Sequence, residues 1–180
     1  MSQSYTIEQQ EKKIPVAEVL RDCVDVPYFL ELCKACPNYG NRWACPPYTT
    51  DSLCVWLKYD VLHMMIRVIY PDPAMTEAEA IAMVDRERQK FSDELLEMEA
   101  GRANVVSLAA GPCMRCGENC TRREKKICRM PHKVRFSIES LGGNVTALMD
   151  KYFGKSMLWM KDGKVPEYFV LAGGLLMQSN

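Results

Sequence analysis

The sequence predicts an α+β fold with one mixed sheet of about four strands, helices packed on that sheet, and two cysteine-rich metal-binding loops. Two segments carry most of this prediction. The run from Val61 to Tyr70 is almost continuously apolar, is partly β-branched and ends at a proline, which is typical of a central strand. Thr76 and Glu79 have the spacing of a capping box, so they predict the start of a helix that ends near Gly101.

The chain before the first cysteine loop is predicted to be helical. Residues 7–22 are rich in Glu and Lys, and their apolar side chains recur at roughly helical spacing. These side chains are Ile14, Val16, Val19 and Leu20. The segment therefore predicts an amphipathic helix that opens the fold.

A second helix is predicted directly after the first cysteine loop. Thr49 or Thr50 is suited to cap it, with Asp51 in the first turn. Its apolar side chains are Leu53, Val55, Trp56 and Leu57. Cys54 falls among them, and a lone cysteine with apolar neighbours is interpreted as a packed core thiol rather than as a ligand.

The second half of the chain begins with a predicted strand that leads into a cysteine-rich loop. Residues 104–110 predict this strand, which runs directly into a Gly-Pro turn. After the loop, Ser137 and Ser140 indicate a short helical stretch, which a glycine pair at 142–143 interrupts.

The last part of the chain predicts a helix and a hairpin. The helix is indicated by apolar residues at helical spacing, namely Val145, Leu148, Met149 and Phe153. Residues 156–160 and 168–171 predict two paired strands, closed by the turn at Asp162 and Gly163.

The composition indicates one soluble globular domain over residues 1–180. Apolar residues make up 48%, charged residues 26%, and the net charge is zero, so global charge favours no extreme class of partner. The amino terminus lacks the apolar core of a signal peptide, and the longest apolar run is too short to span a bilayer. We expect a cytoplasmic protein without membrane contact. In a reducing compartment its nine cysteines point to metal or redox chemistry rather than to disulfides.

Four of the nine cysteines lie in residues 111–131, the second cysteine loop. They are Cys113, Cys116, Cys120 and Cys128. Gly111, Pro112 and Gly117 interrupt regular structure, so this loop can fold around a bound group and present several thiolates to it. Four thiolates are the ligand set of both iron-sulfur clusters and structural zinc, and the alternative is a set of buried or disulfide-bonded cysteines.

A first cysteine loop spans residues 33–47. It carries Cys33, Cys36 and Cys45, and a proline follows both Cys36 and Cys45. A proline after a ligating cysteine also occurs in ferredoxin-type cluster loops, where it turns the chain away from the site. The side chains of Tyr39, Arg42 and Trp43 in this loop would either contact a substrate or pack within the turn.

The spacing of the thiols distinguishes an iron-sulfur site from a zinc site only in part. The pairs Cys33/Cys36 and Cys113/Cys116 are about eighty residues apart, whereas paired zinc motifs are usually separated by a dozen or more residues. Each pair has extra thiols nearby, so neither loop needs the other to reach three ligands. The order of the second loop, Cys-x2-Cys-x3-Cys-x7-Cys, reverses the order of radical S-adenosylmethionine enzymes, which excludes that class.

Charge adds a second argument for a cluster. Residues 115–135 contain eight cations against Glu118 and Glu124. The cations are Arg115, Arg122, Arg123, Lys125, Lys126, Arg129, Lys133 and Arg135. They would stabilise the reduced state of an anionic cluster, or else they form a solvated charged loop. A nucleic-acid site is only weakly indicated, because Phe136 is the one stacking aromatic nearby.

The two loops, together with Ser137, Glu139 and Gly142 after the second one, resemble a family of predicted metal-binding proteins known as a domain of unknown function. The resemblance covers about residues 30–172. It implies seven shared cysteines, and leaves Cys23 and Cys54 as extras of this chain. It implies no reaction. Where family members commonly have Arg-Pro-Ser, this chain has Phe136 in the middle position.

Of the seven shared cysteines, four lie in the second loop and three lie in the first. Our hypothesis is that the second loop holds one [4Fe-4S] cluster, while Cys33, Cys36 and Cys45 bind a second centre. That centre would have an open coordination position, unless Cys23 or His132 closes it. A single cluster or zinc remains the alternative.

Three functions are compatible with these sites. The first is an iron-sulfur electron carrier or accessory redox protein with a partner protein, the second is an enzyme using an open-site cluster, and the third is a zinc-stabilised binding or regulatory module. Phosphate loops, Ser/His/Asp sets and nucleotide fingerprints are absent from the sequence.

Overall fold

The computed structural model describes residues 5–179. Within these residues, nine helices and strands follow one another: β1 (Thr6–Pro15), α1 (Val16–Cys23), α2 (Val26–Lys34), α3 (Leu53–Trp56), β2 (Val61–Tyr70), α4 (Glu77–Glu99), β3 (Val105–Leu108), α5 (Val145–Phe153) and β4 (Phe169–Met177). Short 3₁₀ turns lie in and after the second cysteine loop, at Gly117–Asn119, Thr121–Glu124, Pro131–Lys133 and Glu139–Leu141.

The four strands form one sheet in the order β1-β2-β4-β3. The α+β class and the number of strands are therefore confirmed. The prediction of a mixed sheet is wrong, because all three pairings between the strands are antiparallel. In the register, Ile14 and Leu176 both lie opposite Leu62, so β2 is paired along both sides and is the interior strand that its apolar sequence predicts.

One face of the sheet is covered by α1, α3 and α5. The alternate residues Leu62, Met64, Ile66 and Val68 of β2 point to this face and are completely or almost completely buried. Trp56 of α3 packs there as well, and its indole nitrogen donates a hydrogen bond to the carbonyl oxygen of Leu141 (3.0 Å). This bond ties the core to the segment that follows the second cysteine loop.

The opposite face is covered by α4. Its Met83, Phe91 and Leu95 are buried against Ile69 and against residues of β4. A Cβ at Gly173 would lie 2.7 Å from Leu95 Cδ1, so the absence of a side chain lets the helix approach the sheet. Helices therefore pack on both faces of the sheet. The two cysteine loops lie in the connections between its strands, the first between β1 and β2 and the second between β3 and β4.

The predicted opening helix is only partly correct. Residues 16–22 are helical in α1, but residues 7–15 belong to β1, whose residues pair with the whole length of β2. The segment is an edge strand, and edge strands carry charged side chains that block pairing with further chains. Its Glu and Lys residues therefore reflect its edge position, and pairing with β2 overrides the helical spacing.

The predicted hairpin near the carboxyl end is wrong. Residues 156–160 are not a strand, and the turn at Asp162 and Gly163 is closed only by an isolated bridge between Lys161 and Lys164. Strand β4 instead continues to Met177 and pairs with β2 and β3. Strand β4 contains glycines where neighbouring backbone is close. Because glycine has a low strand propensity, the sequence does not indicate the full length of this strand.

The helix after the first loop is confirmed but is shorter than predicted. It begins after Ser52 rather than after Thr49 or Thr50, and the Asp51 carboxylate accepts a hydrogen bond from the backbone N–H of Leu53 (2.9 Å). Cys54 is exposed, so its assignment as a packed thiol is wrong. The helix is a single turn whose buried residue is Trp56, two positions away, and Cys54 faces another direction.

The other predicted elements agree with the structure, whereas helix α2 is not predicted from the sequence. Strand β2 has the predicted bounds, α4 begins with the predicted capping box at Thr76 and Glu79, and β3 and α5 lie where their patterns place them. None of the described helices is both long enough and apolar enough to cross a membrane.

Candidate metal centre

The first cysteine loop starts from α2. The Asp25 carboxylate caps this helix by accepting a hydrogen bond from the N–H of Tyr28 (3.0 Å), and Cys33 lies in its last turn. Two backbone bonds then fold the loop on itself, from Cys36 N to the Cys33 carbonyl (2.9 Å) and from Gly40 N to the Pro46 carbonyl (2.8 Å). Gly40 has φ +68°, a conformation that favours glycine. The loop is thereby closed around its three thiols.

Cys33, Cys36 and Cys45 all line one cavity of about 190 Å³. Burial raises the pKa of the Cys45 thiol to about 11, and the nearby thiols of Cys36 and Cys33 add to this rise. The pKa of Cys33 is raised by burial and then by Cys36 and Glu139. The three predicted thiols of this loop are therefore close together, and burial favours the neutral form of the Cys33 and Cys45 thiols without metal.

The second cysteine loop leaves the sheet and returns to the same place. At its base, Ala109 N donates to the Phe136 carbonyl (2.8 Å), and Ala109 also forms a parallel bridge with Ser137. Inside the loop, the Thr121 hydroxyl donates to the Ile127 carbonyl (2.9 Å). This bond joins the residue after Cys120 to the residue before Cys128, so it closes the segment between the last two cysteines.

The thiols of the second loop influence one another. Burial raises the pKa of Cys113; Arg115 acts in the opposite direction, and Cys116 and Cys120 add to the rise. Cys128 Sγ accepts a hydrogen bond from the N–H of Met130 (3.4 Å). Hydrogen bonds from backbone N–H to sulfur tune iron-sulfur centres, so this contact suits a thiolate ligand.

Arg42 of the first loop reaches into the second. Its side chain is buried, and its guanidinium donates to the Gly117 carbonyl (2.6 Å), the Cys113 carbonyl (3.4 Å) and the Asn38 side-chain oxygen (2.8 Å). Asn38 in turn contacts Cys36 Sγ through its amide nitrogen (3.7 Å). Arg42 therefore packs between the loops, which agrees with the packing interpretation rather than with substrate contact.

Arg122 of the second loop reaches back into the first. Its guanidinium donates to the Arg42 carbonyl (2.7 Å) and to the carbonyls of Cys45 and Pro47. It also lies over the ring of Trp43, 5.3 Å from the ring centre. The two cysteine loops are thus joined by two arginines that point in opposite directions and bond to backbone next to the thiols.

Glu139 is a further group at the first cavity. It begins the 3₁₀ turn Glu139–Leu141, its carboxyl group is buried against the cavity, and within residues 5–179 its Oε2 atom has no hydrogen-bond partner. Burial raises the pKa of this carboxyl; its own backbone N–H, Ser137 and Arg88 act in the opposite direction and are outweighed.

The other candidate residues lie elsewhere. Cys23, the last residue of α1, is buried in the apolar core with residues of α5, and Cys54 is exposed on α3. His132 is exposed in the turn Pro131–Lys133, where its carbonyl accepts a bond from Arg135 (3.1 Å). In the described part of the chain, no three His, Cys, Asp or Glu side chains are arranged as a preformed site for a single metal ion.

Two residues at these loops are not identified by the sequence as parts of a site. In the sequence, Arg122 is one of eight similar cations in residues 115–135, and Glu139 is one residue of the motif that follows the second loop. A signal for Glu139 is present, because it is the one charged residue in segment 136–149 and directly follows the apolar Ile138. No comparable signal distinguishes Arg122 from its charged neighbours.

An α+β sheet that carries two anchored, mutually bonded cysteine loops defines a cysteine-rich protein of the metal-binding class. The family described as predicted metal-binding protein (DUF2284) matches residues 20–177, and the chain belongs to this family. The family resemblance stated from the motifs is thereby confirmed. No curated protein and no solved structure matches the chain.

Proposed function

We propose that the protein binds two metal centres through its loop thiolates and works as an iron-sulfur electron-transfer or accessory redox protein. Cys113, Cys116, Cys120 and Cys128 would hold one [4Fe-4S] cluster. Cys33, Cys36 and Cys45 would hold the second centre, and a bound cluster would supply one-electron transfer.

The arrangement of the two loops carries this proposal. Each loop gathers its own thiols, and the pKa values of Cys45 and Cys113 respond to thiols of the same loop. Arg42 and Arg122 place guanidinium groups beside the carbonyls of Cys113 and Cys45. Positive charge at this position favours thiolate over thiol and stabilises the additional negative charge that a cluster gains when it is reduced.

The cavity beside the first loop favours a second candidate function, an enzyme whose substrate reaches an open metal position. The cavity of about 190 Å³ is larger than one water molecule needs, and Tyr39 and Glu139 line it with the three thiols. In that function the first centre would act as a Lewis acid, and the second centre would remain an electron carrier.

The test is the content of iron, acid-labile sulfide and zinc per chain after purification without oxygen. We expect about seven to eight irons with equal sulfide, and a brown colour that dithionite bleaches. About four irons would mean one cluster. Stoichiometric zinc in a colourless protein from iron-replete cells would contradict both redox functions and leave a zinc-stabilised module.

Three variants assign the metal to the loops. Cys116→Ser is expected to lose the centre of the second loop alone, and Cys36→Ser the centre of the first loop alone. Cys54→Ser is the matched control, because that thiol is exposed on α3 outside both loops. Equal metal loss in both loop variants would instead indicate one centre shared between the loops.

A further inference from the structure

The first centre has three thiols and therefore lacks one protein ligand of a usual set of four. The two residues that the sequence offers for this position do not reach it, since Cys23 lies in the core and His132 is on an exposed turn. Glu139 does line the cavity together with the three thiols.

Ser137, Ser140 and Asn38 of the cavity wall have hydrogen-bond partners of their own. The Ser140 hydroxyl donates to the Ser137 carbonyl (2.9 Å) and accepts from the Ser137 N–H (3.0 Å), while the Ser137 hydroxyl accepts from the Ser140 N–H (3.2 Å). Asn38 is bonded to Arg42 and contacts Cys36. Glu139 is thus the cavity-lining carboxylate with an oxygen still to be satisfied.

The position of Glu139 is fixed by hydrogen bonds to the turn that carries it. Its turn is fixed by the bond from the Trp56 indole to the Leu141 carbonyl (3.0 Å), and by the bond from Asp25 N to the Gly142 carbonyl (2.9 Å). A buried carboxyl oxygen without a partner disfavours the folded state. Such a group is held in place by its surroundings, and a ligand that bonds to it removes the penalty.

We propose that Glu139 supplies an oxygen ligand to the metal centre held by Cys33, Cys36 and Cys45. This inference rests on the proposed function, and it deepens it by completing the ligand set of the first loop. Carboxylate oxygen is an accepted ligand of zinc and of iron, so the inference does not depend on which metal is bound. The Glu139 oxygen is also the one ligand of this set that is not a soft thiolate, so an incoming molecule would displace it first.

The experiment compares Glu139→Gln and Glu139→Met with the wild-type chain, all loaded with metal under the same anaerobic conditions. The metal fraction that Cys33→Ser lacks defines the first centre. A chelator is then added, and the loss of each fraction is followed with time. We expect the first fraction to leave at least about tenfold faster in both Glu139 variants, and the second fraction to leave at the wild-type rate. Glu97→Gln is the control, because its side chain is exposed on α4, outside both loops.

A second measurement separates a ligand from a structural residue. Metal-free Glu139→Met should unfold at a higher urea concentration than the metal-free wild-type chain, because the unsatisfied oxygen is replaced by an apolar group of similar length. A structural carboxylate would give the opposite order and would overturn the inference. The Gln variant keeps the side-chain size, so its chelation rate decides the question even if the Met variant does not fold.

The outcomes distinguish this inference from the proposed function. A chelation rate for the first fraction within twofold of wild type in Glu139→Gln, while Cys33→Ser lacks that fraction, would overturn the role of Glu139 alone. Full metal content in Cys33→Ser would overturn the assignment of a centre to the first loop, and the inference with it.

Discussion

Arg42 and Arg122 bind each other's loops in a reciprocal manner. Arg42 Nη1 lies 2.6 Å from the Gly117 carbonyl oxygen, and Arg122 Nη1 lies 2.7 Å from the carbonyl oxygen of Arg42 itself. The two arginines therefore couple the position of one set of thiols to that of the other. Hydrogen bonds from charged groups to backbone oxygens are among the stronger ones in proteins, so this pair is a main contributor to loop order.

Removing one of these arginines should loosen both loops. We expect Arg122→Ala to lower the free energy of unfolding by about 2 to 3 kcal/mol, because three carbonyl oxygens lose a charged donor. Urea denaturation of the metal-free chain measures this. Arg123→Ala is the matched control; its side chain is exposed and should change stability by less than about 1 kcal/mol. Equal effects of both variants would contradict the role of Arg122.

Metal removal should leave the sheet intact. The seven loop cysteines are outside both buried apolar clusters, which consist of residues from the sheet, the helices and their connections. After chelation, we expect amides of β2 and β4 to keep their protection from hydrogen exchange, and amides of residues 33–47 and 111–131 to exchange faster. Loss of protection throughout the sheet would show that the metal is needed for the whole fold.

Cys23 should be dispensable for metal. Its thiol is buried in the core cluster with Val19 and Leu148, apart from the cavity of the first loop. We expect Cys23→Ala to bind the wild-type amount of metal and to lose about 1 kcal/mol of stability through the small cavity that it leaves. Metal analysis and urea denaturation test this pair of expectations. A fall in metal content with unchanged stability would identify Cys23 as a ligand.

The Glu99–Arg135 ion pair should make stability depend on pH. The Glu99 carboxylate bonds to the Arg135 guanidinium and accepts from Ser107 N (2.8 Å) and from its hydroxyl (2.7 Å). Burial raises the pKa of Glu99, but these partners together lower it below the ordinary 4.5. A lowered pKa stabilises the fold above pH 4.5, and that stability is lost as pH falls through the folded-state value.

The check is the pH dependence of unfolding for Glu99→Gln. We expect this variant to be about 2 kcal/mol less stable than wild type at pH 7, with the difference shrinking as the pH is lowered below 4.5. Glu97→Gln, an exposed position two residues earlier, is the control and should follow the wild-type curve. A difference that stays constant with pH would contradict an ionised Glu99.

Gly142 should be intolerant of a side chain. It has φ +84°, and a Cβ there would lie 2.6 Å from Val26 Cγ2 and 2.7 Å from Val26 Cα. We expect Gly142→Ala to lower stability by about 3 kcal/mol, from backbone strain and from displacement of α2. Because α2 carries Cys33, the metal of the first loop should also be held less tightly.

Gly154 provides the matched control for this substitution. It has a similar positive φ of +59°, but nothing lies within 4 Å of its Cβ position. Gly154→Ala should therefore lower stability by about 1 to 2 kcal/mol, through strain alone, and leave metal retention unchanged. If both variants behaved alike, the contact with Val26 would not be the cause.

The agreement between sequence and structure depends on whether an element is specified by local pattern. Strand β2 and helix α4 have strong apolar periodicity or caps, and the sequence predicts both with nearly correct bounds. Strand β1 is not predicted, because pairing with β2 decides its state, and its charges reflect an edge position. The sequence does not indicate the full length of β4, because the strand contains Gly173 and Gly174. These glycines are needed because neighbouring backbone approaches β4 closely there, which only the structure shows.

The candidate site shows the same division. Cysteine spacing is a local property, so the sequence alone groups the seven thiols into two loops. The link between Arg42 and Arg122 joins residues about eighty positions apart, and the burial of Glu139 depends on Trp56 and α2. These are properties of tertiary packing, which a pattern within one loop does not contain.

The closed base of the second cysteine loop has a consequence for how metal enters. Because Ala109 is bonded to Phe136 and Ser137, the chain between them cannot spread as a free segment of that length would. The four thiols are kept at a high effective concentration with respect to one another before any metal arrives. Folding therefore supplies part of the loop closure that metal binding needs, while the final ligand geometry is left for the metal to impose.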